Sequence, residues 1–269
     1  MTWRVFISGL VLSFLALLPL GLKWQIQKRV IILAALLIGM LSGTVVNGIT
    51  SFWNLRLYHV LVLQVLVVAA TSISLLLWRF YRDPERITPE DDNAIVSPAD
   101  GKVIYVKKIV ENSIPFSEKK GRTFPLSDFV HSGVFSKGGY LIGIMMNYLD
   151  VHINRAPIGG RITLLNHIKG LFISLKNERA VLQNERVFTI IDNGHFRVGI
   201  VQVASRLVRK IVPYVREGQE VQKGERIGMI RFGSQVDLIL PDVPILHIVV
   251  SPGDKLKAGM SIIATLDLV

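Results

Sequence analysis

The sequence predicts a mainly β protein carried on N-terminal transmembrane helices. Three observations predict it. The 269-residue chain is 50% hydrophobic, yet residues 1–82 contain no Asp or Glu. Beyond them come short alternating segments separated by turn residues, the pattern of strands rather than helices. Near the end, the pattern apolar, turn Gly, apolar, turn Gly, apolar occurs twice, 35 positions apart.

The front comes first. Apolar runs occupy residues 5–22, 30–46 and 59–78. Each approaches the ~20 residues that cross a hydrocarbon core of about 30 Å as a helix. The first run could be a signal peptide, but two further spans follow it, so an uncleaved anchor is the reading adopted. A buried helical hairpin is the alternative. Residues 1–79 are therefore expected to form a membrane anchor of about three helices, and 80–269 a separate domain. The third span is the clearest. The first two could instead form a shallow hairpin, leaving the domain on the same side.

Orientation follows from the basic residues. Lys23, Lys28 and Arg29 stand in the first connection, only Arg56 in the second, and Arg79, Arg82 and Arg86 after the third span. This places the domain in the cytoplasm at the cell membrane, with a multi-pass anchor. From Arg79 on, 26 basic residues face 20 acidic ones. A mildly basic domain beside a membrane suits anionic headgroups. No dense basic run with interleaved aromatics points to nucleic acid. The chain has no cysteine, so disulfides, thiolate catalysis and Cys-based zinc sites are excluded.

In the domain, strands are expected at 94–96, 102–107, 141–146, 161–165, 186–192 and 198–204. A short helix or turn is expected around 205–210. The polar stretch 110–139 reads as an excursion loop or hairpin. The repeat aligns Val215, Gly218, Val221, Gly224 and Ile227 with Val250, Gly253, Leu256, Gly259 and Ile262. Such glycines supply the positive φ of tight turns. Their spacing is that of flattened β-sandwiches of the biotinyl/lipoyl, or barrel-sandwich, type. No strand-then-helix context supports a Gly-rich nucleotide loop.

Four clusters could carry chemistry. Arg231-Phe232-Gly233-Ser234 holds a Gly-Ser pair. A serine hydroxyl in a tight turn can attack the preceding carbonyl, which glycine leaves open; Ser234 would then become a new N-terminus carrying a carbonyl. Most such pairs are ordinary turns, so the accompanying motifs matter. Ser97-Pro98-Ala99-Asp100-Gly101 places an acid in a turn. Asp150-Val151-His152-Ile153-Asn154-Arg155-Ala156-Pro157 puts Asp150, His152 and Asn154 on one face of an extended segment, a setting for acid–base work. Lys176-Asn177-Glu178-Arg179 is a solvated or phosphate-recognising loop. His59, His131, His167, His195 and His247 lack acidic or histidine neighbours at ligand spacing, and no metal site is expected.

Together, in this order, these motifs resemble the phosphatidylserine decarboxylase family in its short, membrane-anchored form. The resemblance starts at Phe80-Tyr81-Arg82-Asp83-Pro84-Glu85-Arg86 and includes Val198-Gly199-Ile200-Val201-Gln202-Val203-Ala204. It implies a pyruvoyl enzyme that cuts itself between Gly233 and Ser234. The pyruvoyl cofactor would be made from Ser234, and the small chain 234–269 would stay as partner of the large one. It implies a maturation triad of Asp100, His152 and Ser234, with His152 taking the serine proton and Asp100 orienting the imidazole. It further implies decarboxylation of a serine-headgroup phospholipid through a Schiff base, with His152 reprotonating the α-carbon. Arg155, Arg179 and Arg231 are candidate phosphate contacts; a structural role is the alternative for each. Two departures stand out. Longer family members carry a second histidine where this chain has Arg155, and Gln235 occupies a position where small residues are common. A homodimer is the expected assembly. The reading from another class is a non-catalytic, membrane-tethered adaptor or carrier with a lipoyl-like sandwich.

Overall fold

The computed structural model describes residues 2–24, 26–110, 116–119, 122–125, 138–168, 185–204, 210–231 and 234–267. The chain divides into two compact units, residues 1–81 and 82–269.

The first unit is three helices: α1 (Thr2–Lys23), α2 (Lys28–Phe52) and α3 (Leu57–Phe80). All three are long and apolar enough to cross a membrane. Leu15, Leu37 and Leu66 are among the exposed large side chains on their outer faces. Between apolar helices in lipid, association relies on close packing and hydrogen bonds rather than on water exclusion. Glycines permit that approach here. A Cβ on Gly39 would lie 2.8 Å from Leu10 Cα, and one on Gly43 would lie 2.5 Å from the Phe6 ring. Ser13 Oγ donates to the Ala35 carbonyl at 2.7 Å, joining α1 to α2. Buried Gln64 joins α3: its amide donates to the Val5 carbonyl, and its Oε1 accepts from Ser8 at 2.8 Å.

The second unit is built of β1 (Ala94–Val96), β2 (Gly101–Ile109), β3 (Phe116–Lys119), β4 (Arg122–Pro125), β5 (Gly139–Met145), β6 (Ile153–Arg155), β7 (Gly160–Ile168), β8 (Arg186–Asp192), β9 (Arg197–Ala204), β10 (Lys210–Pro213), β11 (Glu220–Val221), β12 (Arg226–Arg231), β13 (Ser234–Pro241), β14 (Leu246–Ile248), β15 (Lys255–Leu256) and β16 (Ile262–Leu266). One eight-stranded sheet runs β11-β7-β8-β9-β13-β5-β2-β15. Two three-stranded sheets run β10-β12-β6 and β14-β16-β1, and β3–β4 form a hairpin.

These sheets contain the same half twice. The groups β11-β7-β8-β9 and β15-β2-β5-β13 meet at the β9–β13 pair, and each has its own three-stranded sheet. The match holds bond by bond. Gly218 N–H donates to Ile162 O at 2.7 Å, as Gly253 N–H does to Val103 O at 2.8 Å. Gly224 and Gly259 donate likewise to Ala156 and Ser97. The pairing skips one residue at Ile162/Leu164 and at Val103/Tyr105. Gly160 and Gly101 open the two long strands with φ of 146° and 147°. A Cβ there would lie 2.4 Å and 2.3 Å from the Asp192 and Met145 carbonyl oxygens, so both positions require glycine. One half is continuous, from β6 to β12. The other is split: β1 to β5 precede it and β13 to β16 follow it.

The main core lies on one face of the large sheet, with Ile142, Ile144, Ile200, Val236 and Leu238 among its members. A smaller apolar cluster, including Leu141, Phe188, Val201 and Ile239, covers the other face. The expected strands at 94–96 and 186–192 match the observed ones; β2, β7 and β9 extend beyond the expected ranges, and β5 starts two residues earlier and ends one residue sooner than the expected 141–146. Where a short helix or turn was expected at 205–210, Lys210 begins strand β10, paired with β12. Residues 205–209 lie outside the described residues. Within 110–139 the hairpin alternative holds for the paired strands 116–119 and 122–125.

Candidate active site at the return between the two halves

β12 ends at Arg231 in a three-stranded sheet, and β13 begins at Ser234 in the eight-stranded one. Only Phe232 and Gly233, outside the described residues, connect them. The Gly233-Ser234 pair therefore stands where the chain leaves the inserted half and returns to the split one. Ser234 pairs with Ala204 on β9. Gln235 is the first residue of β13 paired on both sides, with Val203 and with Met145 of β5.

His152 precedes β6, which pairs with β12. Its carbonyl accepts from Ile230 N–H at 3.1 Å, so the histidine is in register with the residue four positions before Ser234. The side chain is fully buried. Its Nδ1 lies 2.9 Å from the Asp150 carbonyl. A carbonyl can only accept, so Nδ1 carries the proton and Nε2 is the basic nitrogen. Burial pulls the His152 pKa from 6.5 down to about 4, against the opposing influence of the Asp150 carbonyl and the Asp100 charge. The ring is neutral at neutral pH. Asp150 Oδ2 accepts from Asn147 N–H at 2.7 Å, and burial pushes its carboxyl above the usual range.

Asp100 is held firmly. Arg86 grips it with two bonds, Nη1 to Oδ1 at 2.5 Å and Nη2 to Oδ2 at 2.9 Å. Ala258 N–H donates to Oδ1 at 2.8 Å, and Val151 N–H to Oδ2 at 3.3 Å. Asp100 thus meets the residue beside His152 through the backbone, and the ring through its field. Asn154 donates to the Pro98 carbonyl at 3.3 Å and accepts from Gln202 at 2.8 Å, tying β6 to β9 beneath the site.

The other half lacks these groups. Leu266 N–H donates to the Asn93 carbonyl as Ile230 does to His152, so asparagine stands at the histidine's position. Gly159, one residue before Gly160, stands where Asp100 precedes Gly101. A cavity of about 650 Å³ opens there, lined in part by Asn93, Gly159, His195 and Lys223.

The candidate arginines separate. Arg155 is buried and donates to the Gly224 carbonyl at 2.9 Å and the Pro84 carbonyl at 3.1 Å, with Asp83 at 3.5 Å. Arg231 faces Lys210 across β10 and β12. Its Nε is buried without a hydrogen-bond partner among the described residues. Lys176 to Arg179 lie outside the described residues.

Sequence reasoning missed Arg86, because its partner lies 14 residues on, in another motif. It also missed the acids beside two histidines. Glu185 meets His167 at 2.7 Å and Asp267 meets His247 at 3.0 Å. Strand pairing brings these together, so no local spacing shows them.

Comparison with known proteins identifies the family. The family model for phosphatidylserine decarboxylase matches residues 73–264. The chain belongs to the phosphatidylserine decarboxylase family. Among its relatives, a protein of Methanocaldococcus jannaschii carrying the name archaetidylserine decarboxylase proenzyme is 42% identical over 73% of this chain and 93% of its own length. One of the same name from Methanothermobacter thermautotrophicus is 37% identical, over 77% and 86%. A phosphatidylserine decarboxylase proenzyme of Pelodictyon phaeoclathratiforme is 34% identical, over 75% and 84%. The family match spans both sides of the Gly233-Ser234 bond and the whole constellation around His152.

Proposed function

We propose that this protein decarboxylates a serine-headgroup phospholipid to the ethanolamine lipid, using a pyruvoyl group that it makes from its own Ser234. Family membership supports the reaction, and the adaptor reading is not favoured. The observation that supports the site is a buried, neutral imidazole on a residue whose carbonyl pairs with Ile230 of β12, four positions before Ser234.

Maturation follows from these groups. His152 Nε2 accepts the Ser234 hydroxyl proton as the oxygen attacks the Gly233 carbonyl, and the peptide becomes an ester. Removal of the serine α-proton then expels the Gly233 carboxylate. Water releases ammonia from the remaining end, leaving the pyruvoyl carbonyl. Asp100, fixed by Arg86, orients the segment through Val151 N–H and favours the imidazolium that forms.

The residues present fit such a group: it would begin β13, held in the sheet by β9. When present, the pyruvoyl group would supply an electron sink for the bond to CO2. The protein's own part is to bind the headgroup, hold the serine amine near Ser234's position and move a proton at His152 Nε2, which takes it from the substrate ammonium and returns it to the α-carbon. Arg231 is proposed as a phosphate contact. Like charges directly opposite on neighbouring strands are unfavourable, and an anion beside Lys210 and Arg231 would relieve that and engage the buried Nε. Arg179 remains a proposed contact on its motif, whereas Arg155 takes the structural role its partners support.

The same reading puts 1–79 in the membrane as a multi-pass anchor, 80–269 in the cytoplasm, and chains 1–233 and 234–269 together in the mature enzyme. It treats the two halves as barrel-sandwich units, on the strength of their shared turn glycines. The test is an assay with serine phospholipids of ester and ether backbone, read by lipid mass spectrometry. Loss of CO2 with wild type and none with Ser234→Ala is expected. Turnover by Ser234→Ala would overturn the site.

A further inference from the structure

On the face of the large sheet opposite the main core, three polar side chains are buried among apolar ones. Tyr105 on β2 donates to Asp237 Oδ1 at 2.8 Å. Gln235 donates from Nε2 to the same oxygen at 2.8 Å and to Tyr105 Oη at 3.0 Å. Gln235 and Asp237 have 0% exposure and Tyr105 has 7%. Leu141, Val203 and Ile239 belong to the apolar cluster on this face.

The arrangement depends on a glycine. Tyr105, Gly143 and Asp237 form one row across β2, β5 and β13. A Cβ on Gly143 would lie 2.4 Å from the Tyr105 ring. The ring can cross the middle strand to reach Asp237 only because nothing projects there.

The repeated half supplies a control. Its matching row is Leu164, Ile190 and Gly199 across β7, β8 and β9, and Arg197 stands at the position of Gln235. The same backbone therefore folds without a polar trio. Buried polar groups need partners to offset their desolvation, and an apolar row would serve packing alone. Such a network can specify one arrangement over others.

We propose that Tyr105, Asp237 and Gln235 form a positioning clamp that fixes the residue behind the scissile bond, before and after cleavage. This rests on the proposed cut at Gly233-Ser234. A one-residue slip of β13 would carry Gln235 and Asp237 to the other face and move Ser234 from its place. Once the bond is cut, Tyr105 belongs to the large chain and the other two to the small chain. The clamp then holds the start of β13, where, among the described strands, β9 alone pairs with Ser234, against fraying. Gln235 is thus an anchor adapted to this position, and its size is no obstacle to cleavage.

Two measurements on full-length, detergent-solubilised protein test this. In the uncut Ser234→Ala background, adding Tyr105→Phe should speed amide exchange at residues 235–237 about tenfold, with β7 and β8 unchanged. Unchanged exchange at 235–237 would overturn the clamp, whether or not the wild type cleaves. In the cleaving protein, Tyr105→Phe and Gln235→Ala should each slow self-cleavage by about tenfold or more and lower kcat of the mature fraction with KM nearly constant. The double variant should lose little more than either single one. Independent, multiplying losses, or a rise in KM alone, would reject positioning. An uncut wild type would sink the pyruvoyl reading, while the exchange result would still decide whether the clamp exists.

Discussion

In the proposed maturation His152 must be unprotonated to accept the serine proton, and its burial keeps it so well below neutral pH. With a pKa of about 4, self-cleavage should keep most of its rate down to roughly pH 5, whereas a histidine of ordinary pKa would be mostly protonated there. A rate that halves near pH 6.5 would contradict the buried setting. The same shift bears on stability. Between pH 6.5 and about 4 the unfolded chain binds a proton at His152 that the folded chain refuses. Stability is then full above 6.5 and falls as pH drops through this window, by on the order of 3 kcal/mol. His152→Gln should show a shallower acid-side loss in thermal unfolding; an unchanged slope would count against it. Arg86 and Asp100 form a buried pair, with side chains 6% and 10% exposed. Arg86→Ala leaves a buried carboxylate and should cost about 3–5 kcal/mol, with slower cleavage. A variant as stable and as active as wild type would remove Asp100's anchoring from the account. Asp100 and His152 were legible in the sequence because each sits in a compact motif. Arg86 was not, since two motifs meet only through folding.

At the scale of elements, the helices and six of the sixteen described strands, β1, β2, β5, β7, β8 and β9, were legible because their periodicities are strong. The lengths of β2 and β7 were not, because their outer ends alternate weakly and are defined by pairing. β10 was not legible in the sequence, where Lys210 alone falls in the expected helix or turn at 205–210; it is a strand through its pairing with β12. In the anchor, the helix contact depends on glycines that hydropathy does not reveal. The chain has no native cysteine, so a Ser13→Cys/Ala35→Cys pair reports this contact cleanly. The pair should cross-link in the membrane under mild oxidation. Adding Gly39→Leu, whose side chain would meet Leu10 and Ser13, should sharply reduce the yield. Equal yields would show that α1 and α2 do not pack through this glycine.

At the scale of the molecule, the duplicated half gives the proposed cut its place, at the return from one half to the other. The 35-residue repeat showed one part of the duplication. The other part, Ser97–Gly101 against Ala156–Gly160, shares only Pro98/Pro157 and Gly101/Gly160, too little to stand out without the pairing. The proposed scissile bond lies at the first residue of β13, so cutting it leaves the ladder from Gln235 onward in place. β13 remains between β9 and β5, while β15 and β16 remain paired with β2 and β1. The two chains should therefore co-purify under native conditions and separate only on denaturation; spontaneous release of the small chain would contradict this packing. The most direct test of the central claim is intact-mass analysis of purified, denatured wild type beside Ser234→Ala. The expected result is two chains from wild type, 1–233 and 234–269, the smaller blocked at its N-terminus, and one uncut chain from the variant. A single uncut chain of 30.0 kDa from an active wild type would contradict it.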